Sequence, residues 1–398
     1  MPAHSDLLSQ FWFNFTHNLF KPLLLFFYMG FLIPILKVPF EFPKALYQGL
    51  TIFLLVAIGW HGGEELANLG GKEFKEALGF MLIGFFLNFV IGILAYQYLR
   101  TMTRLRRIDA ATVAGYYGSD SAGTFVTCVG VLNASLLKFA AYMPVMLAVM
   151  EIPGCLVALY LISRLRRRGM DALGNMPNEP GYDAAAVRAV VGDEHAPHHD
   201  SGHGDAPAHG TTDPDLATLL REVFLNPGLY LLFGGITIGF VSGLQGEKIT
   251  KEPDSLFLNL FQGLLCLFLL EMGMTACRRL RDLKSGGAPF IFFAIAAPNF
   301  FAALGMTIAH LYSLSLGVPF QLGTYVLFAV LCAAASYIAV PAVQRMAIPE
   351  ASPTLPLAAS LGLTFSYNVT VGIPVYILIA TALNQAWPVA GGVLAPGG

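Results

Sequence analysis

Two short polar stretches interrupt apolar segments of the chain, and their residue types suit the binding of small ions. Residues 115–125, GYYGSDSAGTF, place Ser119, Asp120 and Ser121 between glycines, and residues 332–341 read CAAASYIAVP. A carboxylate and freed backbone carbonyls suit a small cation, whereas N–H groups at a helix N-terminus suit an anion. Hydroxyl groups serve either ion. The two stretches therefore predict a binding site for a small charged solute.

The segments around these stretches have the length and apolarity of membrane spans. The chain has 398 residues, 56% hydrophobic and 12% charged. A span needs about 20 apolar residues. We predict ten spans, near residues 20–39, 46–66, 74–99, 109–134, 138–163, 225–243, 255–277, 287–311, 320–347 and 356–383. This composition indicates an all-α polytopic membrane protein in contact with lipid, and it offers no basic face for nucleic acid.

Basic residues cluster in three loops, which ten crossings place on one face of the membrane. The clusters follow the third, fifth and seventh spans and comprise Arg100, Arg104, Arg106, Arg107, Arg164, Arg166, Arg167, Arg168, Arg278, Arg279, Arg281 and Lys284. Cytoplasmic loops carry an excess of Lys and Arg. This pattern makes the arginine-rich face cytoplasmic and predicts that both termini lie outside.

The two halves of the chain resemble each other, which indicates an internal repeat. Residues 47–50, YQGL, correspond to residues 261–264, FQGL, and Ser119 corresponds to Ser336 at a similar offset. Because each half holds five spans, the second half must insert with the opposite orientation, as in many secondary transporters. In such inverted repeats, interrupted helices cross at the membrane midplane. The predicted units are a first repeat over residues 1–163, a linker over 164–218 and a second repeat over 219–398.

The linker differs sharply from the spans in composition. Residues 170–215 are rich in Gly, Pro and Asp and contain a run of histidines: His195, His198, His199, His203 and His209. Such a segment buries too little apolar surface to form a core. We expect a cytoplasmic linker that is disordered or partly helical. Binding of zinc or nickel by the histidine run is the alternative interpretation.

Several segments together resemble the sodium-dependent bicarbonate permease family of cyanobacterial, SbtA-like type. The segments that carry the resemblance are residues 115–127, 150–153, 273–278, 296–298 and 336–353. The resemblance implies a core domain and a gate domain, each built from both repeats, in a homotrimer of the bacterial inner membrane. It also implies an anion, bicarbonate, between the interrupted helices, with a sodium ion close by. Some members of the family are regulated by a small PII-like protein at the cytoplasmic face.

The breaks and the resemblance together define the candidate site residues. The substrate-binding candidates are Gly118, Ser119, Ser121, Gly123, Thr124, Ala335, Ser336, Tyr337, Ile338 and Ala339. The candidate sodium ligands are Asp120, Glu151 and Asn368. A structural hydrogen bond between helices is the alternative role for Glu151. No metal other than sodium is expected, and ordinary kinks are the alternative reading of the two breaks.

The sequence departs from the family pattern at the breaks. Tyr337 stands where cyanobacterial members have an aspartate, and Asp120 appears in the first break instead. Glu151 replaces an aspartate before Ile-Pro. Either the carboxylate has moved across the pseudo-symmetric site or the substrate has changed.

The predicted function is sodium-coupled symport of a small anion, preferably bicarbonate, by alternating access. The chain has no G-x-x-x-x-G-K-[ST] loop, which argues against direct use of ATP. The alternatives are a channel, or a transporter of another small anion or carboxylate with different cation coupling. An intramembrane hydrolase using Ser121 or Ser119 is disfavoured, because only His61 and His310 lie in plausible partner spans. We therefore expect no catalytic residues.

Overall fold

The fold is known from a computed structural model that describes residues 20–184 and 227–389. These residues form helices and connecting segments, with no strand among them. The α-helices are α1 Pro22–Ile35, α2 Lys44–Ala67, α3 Gly71–Met102, α4 Arg107–Tyr117, α5 Ala122–Ala134, α6 Met143–Arg166, α7 Pro227–Gln245, α8 Glu247–Phe257, α9 Phe261–Arg279, α10 Gly287–Leu316, α11 Leu322–Ala333, α12 Ala339–Ala347 and α13 Thr354–Ala386. A 3₁₀ turn, Leu280–Ser285, follows α9. The predicted all-α class is confirmed.

Seven helical segments of the described chain are long and apolar enough to cross a membrane. They correspond to α2, α3, α6, α7, α8 with α9, α10 and α13. Four helices near the predicted breaks are shorter, with 11, 13, 12 and 9 residues in α4, α5, α11 and α12. At about 1.5 Å per residue, none of them alone spans a hydrocarbon core of about 30 Å. The chain is thus a multi-pass membrane protein, and in two of its regions the helix is interrupted by a break between two short helices.

Two helix pairs, each formed from both halves of the chain, pack backbone against backbone. In the α2–α7 pair, a β-carbon at Gly63 would collide with the carbonyl of Ile236. In the α1–α9 pair, a β-carbon at Gly273 would collide with the carbonyl of Phe27. Close backbone approach at small residues is how helices associate in lipid, where no hydrophobic force draws them together. We call α1, α2, α7 and α9 the gate helices.

The remaining long and interrupted helices form a body with a more deeply buried interior. Every residue of α4 from Ile108 onward is buried, and so is every residue of α11 from Gly323 onward. A helix that is apolar and buried on all sides lies inside a protein body rather than against lipid. Helix α6 adds to this interior, since 72% of its most apolar window is buried. We call α3–α6 and α10–α13 the core helices.

The segment after α6 folds back onto the core helices, which differs from the expected solvated linker. The buried Asp171 carboxylate accepts N–H bonds from Leu173, Asn175 and Asp183 at 2.7–3.0 Å. Burial alone would raise the pKa of Asp171, but these donors outweigh burial and the pKa lies below its ordinary value. Residues 167–184 therefore form an ordered cap. The histidine run lies outside the described residues.

Arg106 binds this cap to the start of α4, and Arg166 joins the end of α6 to the second half of the core. Arg106, just before α4, contacts Asp109 at 2.8 Å and donates to the Leu173 carbonyl at 3.1 Å. Arg166, at the end of α6, pairs with Glu350 at 3.3 Å. Some arginines of the basic face thus stabilise the fold by internal contacts, in addition to indicating the orientation of the chain in the membrane.

Candidate functional site

The first break separates α4 from α5 at the position that the sequence predicts. Helix α4 ends at Tyr117 and α5 begins at Ala122. The Ser121 hydroxyl caps α5: it accepts the Thr124 N–H at 3.3 Å and the Thr124 hydroxyl at 3.0 Å. Such a cap satisfies one of the free N–H groups in the first turn of the helix. The result is a defined helix N-terminus inside a buried region.

The second break separates α11 from α12 and touches the first. Helix α11 ends at Ala333 and α12 begins at Ala339. Between them, the Ser336 N–H donates to the Tyr116 carbonyl at 2.9 Å. This bond joins the second break directly to the last turn of α4. The structure thereby brings the two candidate stretches together, including the buried Ala335.

Tyr337 occupies the space between the two breaks. Its ring packs edge-on against Phe365 of α13, with centroids 5.6 Å apart. A β-carbon at Gly123 would collide with the Tyr337 hydroxyl, and it would lie 3.1 Å from the ring of Phe268. The phenol of the second break thus reaches the start of α5, where Phe268 of the gate helix α9 also arrives. Tyr47 of α2 stacks on Phe268 with centroids 6.0 Å apart.

Two buried carboxylates flank the first break. Neither oxygen of Asp120 has a hydrogen-bond partner within the described chain. Glu151 lies on α6, and its backbone carbonyl accepts the Ser119 hydroxyl at 2.9 Å. Because Ser119 directly precedes Asp120, this bond makes the two acidic residues neighbours in the fold. Because an unpaired buried charge costs several kcal/mol or more, the two carboxyl groups require either a bound cation or a bound proton.

Asn368 braces the second break from the last span. Its Nδ2 donates to the carbonyl of Ala333 at 3.1 Å, and its Oδ1 accepts the Tyr376 hydroxyl at 2.7 Å. It begins a π-helical stretch, Asn368–Gly372, and such wide turns recur at functional positions. The observed contacts give Asn368 a positioning role at the carbonyl that the break frees. A role as a sodium ligand stays a prediction.

The first break has a similar brace that sequence reasoning missed. The Tyr117 hydroxyl lies 2.6 Å from the Thr364 hydroxyl, which donates to the Ala294 carbonyl at 2.7 Å. Thr364 belongs to a second π-helical stretch of α13, Ala358–Phe365. In the sequence, Thr364 is a lone threonine within an apolar span, and such a position does not show which residues it contacts. Asn88 of α3, which is also buried, was missed for the same reason.

The histidines considered for a hydrolase lie away from the breaks. His61 pairs with Glu65 at 3.3 Å, and His310 lies 3.3 Å from the hydroxyl of Tyr325. The Ser121 hydroxyl instead bonds to its own helix. No nucleophile–base pair is therefore formed by Ser119 or Ser121 in the described chain.

Two open cavities flank the interrupted helices at their opposite ends. A cavity of about 800 Å³ lies beside Asn133 at the end of α5 and includes Lys138 and Thr324. A cavity of about 400 Å³ lies beside Thr112 of α4 and includes Gln344 of α12. Each approaches the breaks from one side of the molecule. The buried region between them separates the two.

Comparison with known families decides the class of this protein. The family model of the Na⁺-dependent bicarbonate transporter superfamily matches residues 22–381, a range that contains both breaks. The chain belongs to this superfamily. No curated protein matches it. Membership makes the chain a membrane transporter rather than an enzyme, and it confirms the resemblance noted from the sequence.

Proposed function

We propose that this transporter is a sodium-coupled symporter of bicarbonate that works by alternating access. The observation that carries the proposal is the contact of two helix breaks, through the Ser336–Tyr116 bond of 2.9 Å, beside a buried carboxylate pair. Membership of a Na⁺-dependent bicarbonate transporter superfamily supports sodium as the coupling ion and bicarbonate as the substrate. The proposal assigns the anion to the breaks and the cation to the carboxylates.

The proposed topology has ten crossings in two inverted repeats. Counting α4–α5 and α11–α12 as one crossing each, and adding α1 to the seven long spans, gives ten. The packing pattern supports the symmetry, since α2 of the first half meets α7 while α9 of the second half meets α1. With the arginine-rich face in the cytoplasm, both termini lie outside the bacterial inner membrane.

The proposed anion site lies between the N-termini of α5 and α12. Both helix ends offer N–H groups and the positive ends of helix dipoles. The Tyr337 hydroxyl lies near Ser121 but makes no hydrogen bond of acceptable geometry within the described chain, so it can donate to an anion. The residues assigned to this site are Gly118, Ser119, Ser121, Gly123, Thr124, Ala335, Ser336, Tyr337, Ile338 and Ala339.

Electrostatics supports coupling of the two ions at this site. Without a cation, the carboxylates of Asp120 and Glu151 place negative charge beside the first break. Like charges repel strongly where the dielectric constant is low. A sodium ion at the carboxylates lowers this repulsion, so the anion binds well only when the cation is present.

The core–gate contact supports the proposed movement. Gly123 of the core meets Phe268 of the gate, and the two cavities approach the breaks from opposite ends. Movement of the core against the gate opens one cavity to the site while closing the other. From the family resemblance we also propose a homotrimer and, at the cytoplasmic face, a PII-like regulatory partner.

Uptake of radiolabelled bicarbonate into proteoliposomes at fixed pH tests this function. We expect uptake to require an inward sodium gradient and to fall to background when choline replaces sodium. Acetate and sulfate are the competitors. Equal uptake in choline would refute sodium coupling, and strong competition by sulfate or acetate would point to another small anion as the substrate.

A further inference from the structure

Asn88 is a buried polar residue in the middle of α3. Its amide nitrogen has a hydrogen-bond partner, but its amide oxygen has none in the described chain. Its Nδ2 donates to the Met150 carbonyl at 2.9 Å. Its Oδ1 has no hydrogen-bond partner in the described parts of the chain, and the residue is 0% exposed. Buried polar atoms are nearly always paired, so an orphaned oxygen needs an explanation.

Asn88 lies against the first break. A β-carbon at Gly118 would lie 3.2 Å from the Asn88 carbonyl and 3.0 Å from the Cα of Gly92. The backbones of α3 and the break are therefore in direct contact. On the other side, a β-carbon at Gly154 would lie 2.8 Å from the Ser119 nitrogen. The chain just before Asp120 is thus held between α3 and α6.

The side chains of Asn88, Asp120 and Glu151 are buried in this region, and each carries oxygen atoms that can coordinate a cation. Asn88 Oδ1 and both carboxylate oxygens of Asp120 are buried without hydrogen-bond partners. Ser119, which directly precedes Asp120, donates to the Glu151 backbone carbonyl at 2.9 Å, and Glu151 directly follows Met150, whose carbonyl accepts the Asn88 amide N–H. Among the described ion pairs, no Lys or Arg contacts either acid.

This donor set selects the chemical class of ligand. Amide and carboxylate oxygens bind hard cations, whereas zinc and its neighbours prefer nitrogen and sulfur. No group of three His, Cys, Asp or Glu that could hold a metal ion occurs in the described chain. The site thus suits a hard cation, and sodium is the hard cation on which this transporter superfamily depends.

We propose that Asn88 is a ligand of the coupling cation, whose site is formed by Asn88 Oδ1, Asp120 and Glu151. This inference rests on the proposed symport and extends it by identifying the third protein ligand. It places that ligand on α3, whereas the amide nitrogen of Asn368 on α13 already binds the second break and its amide oxygen already accepts the Tyr376 hydroxyl. All three ligands then lie around the first break.

Sodium-dependent thermal stability of the detergent-solubilised full chain tests this site without transport. Sodium chloride is titrated against choline chloride at constant ionic strength, since a ligand stabilises the state that binds it. We expect wild type to be stabilised by sodium, and Asn88→Ala to need about tenfold more sodium for half the effect, as for one lost ligand. Asn299→Ala is the control, because Asn299 on α10 binds Tyr367 instead.

Wild-type response of Asn88→Ala, or absence of any sodium effect on the wild type, would overturn the inference. If Asn88→Ala does not fold, Asn88→Asp decides, because the added negative charge should lower the half-maximal sodium concentration at least about threefold. An unchanged concentration in Asn88→Asp would also overturn it. Bicarbonate uptake that does not depend on sodium would refute the symport. If sodium still stabilises the wild-type protein against heat in that case, the cation site itself is supported.

Discussion

At the scale of single residues, Asp120 distinguishes the first break from a simple helix kink. A carboxylate in a membrane-spanning helix is costly and marks an ion pathway more often than a structural contact. Here both of its oxygens are buried and lack hydrogen-bond partners in the described chain. We therefore propose that its carboxylate binds the transported cation.

Asp120→Asn tests this assignment by removing the charge while keeping the shape. We expect sodium-driven bicarbonate uptake in proteoliposomes to fall at least about tenfold, because the loss of a charged ligand is worth more than about 1.4 kcal/mol. Asp282→Asn is the matched control, since Asp282 lies on the arginine-rich face and pairs with Arg279 at 3.5 Å. A wild-type sodium dependence in Asp120→Asn would remove this residue from the mechanism.

Tyr337→Phe tests the anion half of the site. The variant keeps the ring on Phe365 and removes only the hydroxyl near Gly123. We expect the KM for bicarbonate to rise about two- to tenfold, as for one lost hydrogen bond, with the sodium dependence unchanged. Tyr160→Phe, at a 45% exposed position on α6, serves as control. An unchanged KM would show that the hydroxyl does not contact the anion.

At the scale of helices, the gate depends on backbone contact between α2 and α7. Gly239 and Gly234 lie on the same helix, yet a β-carbon at Gly239 would strike the Trp60 carbonyl, whereas one at Gly234 meets no atom within 4 Å. We expect Gly239→Val to destabilise the folded protein by about 1–3 kcal/mol, as overpacking does. Gly234→Val should behave as wild type in the same thermal assay. Equal melting of both variants would contradict the proposed packing.

The cap after α6 makes a second prediction at this scale. Asp171→Ala leaves three backbone N–H groups without their acceptor, so we expect a loss of about 2 kcal/mol or more. Glu252→Ala, at an exposed position of α8, is the control. Because the pKa of Asp171 is lowered, its stabilisation is present above the unfolded pKa of about 3.9 and fades as pH falls further. A wild-type melting temperature at neutral pH would show that the cap contributes nothing.

Local signals in the sequence were sufficient to predict the positions of the long helices and of the two breaks. Gly118 and Gly123 frame the first break, and Pro341 follows the second, so both appear as interruptions of apolar segments. The contacts across the fold could not be read in this way. The Asn88–Met150 bond joins residues 62 positions apart. Likewise, composition made residues 170–184 look solvated, because nothing local shows that Asp171 gathers N–H donors.

At the scale of the whole molecule, the account makes the two ions depend on each other. A cation at the first break lowers the negative charge that an anion would meet, and an anion between the breaks in turn favours the cation. Such linkage is reciprocal by thermodynamic necessity. The proposed mechanism assigns the entry and exit routes of both ions to the two cavities, of about 800 and 400 Å³, at opposite ends of the interrupted helices.

The most direct test of this dependence is the entry of radioactive sodium into proteoliposomes while external bicarbonate is varied at fixed pH and ionic strength. The account predicts that bicarbonate stimulates sodium entry and that the stimulation saturates. Protein-free vesicles give the background. Sodium entry that is the same with and without bicarbonate would contradict coupled transport by this chain.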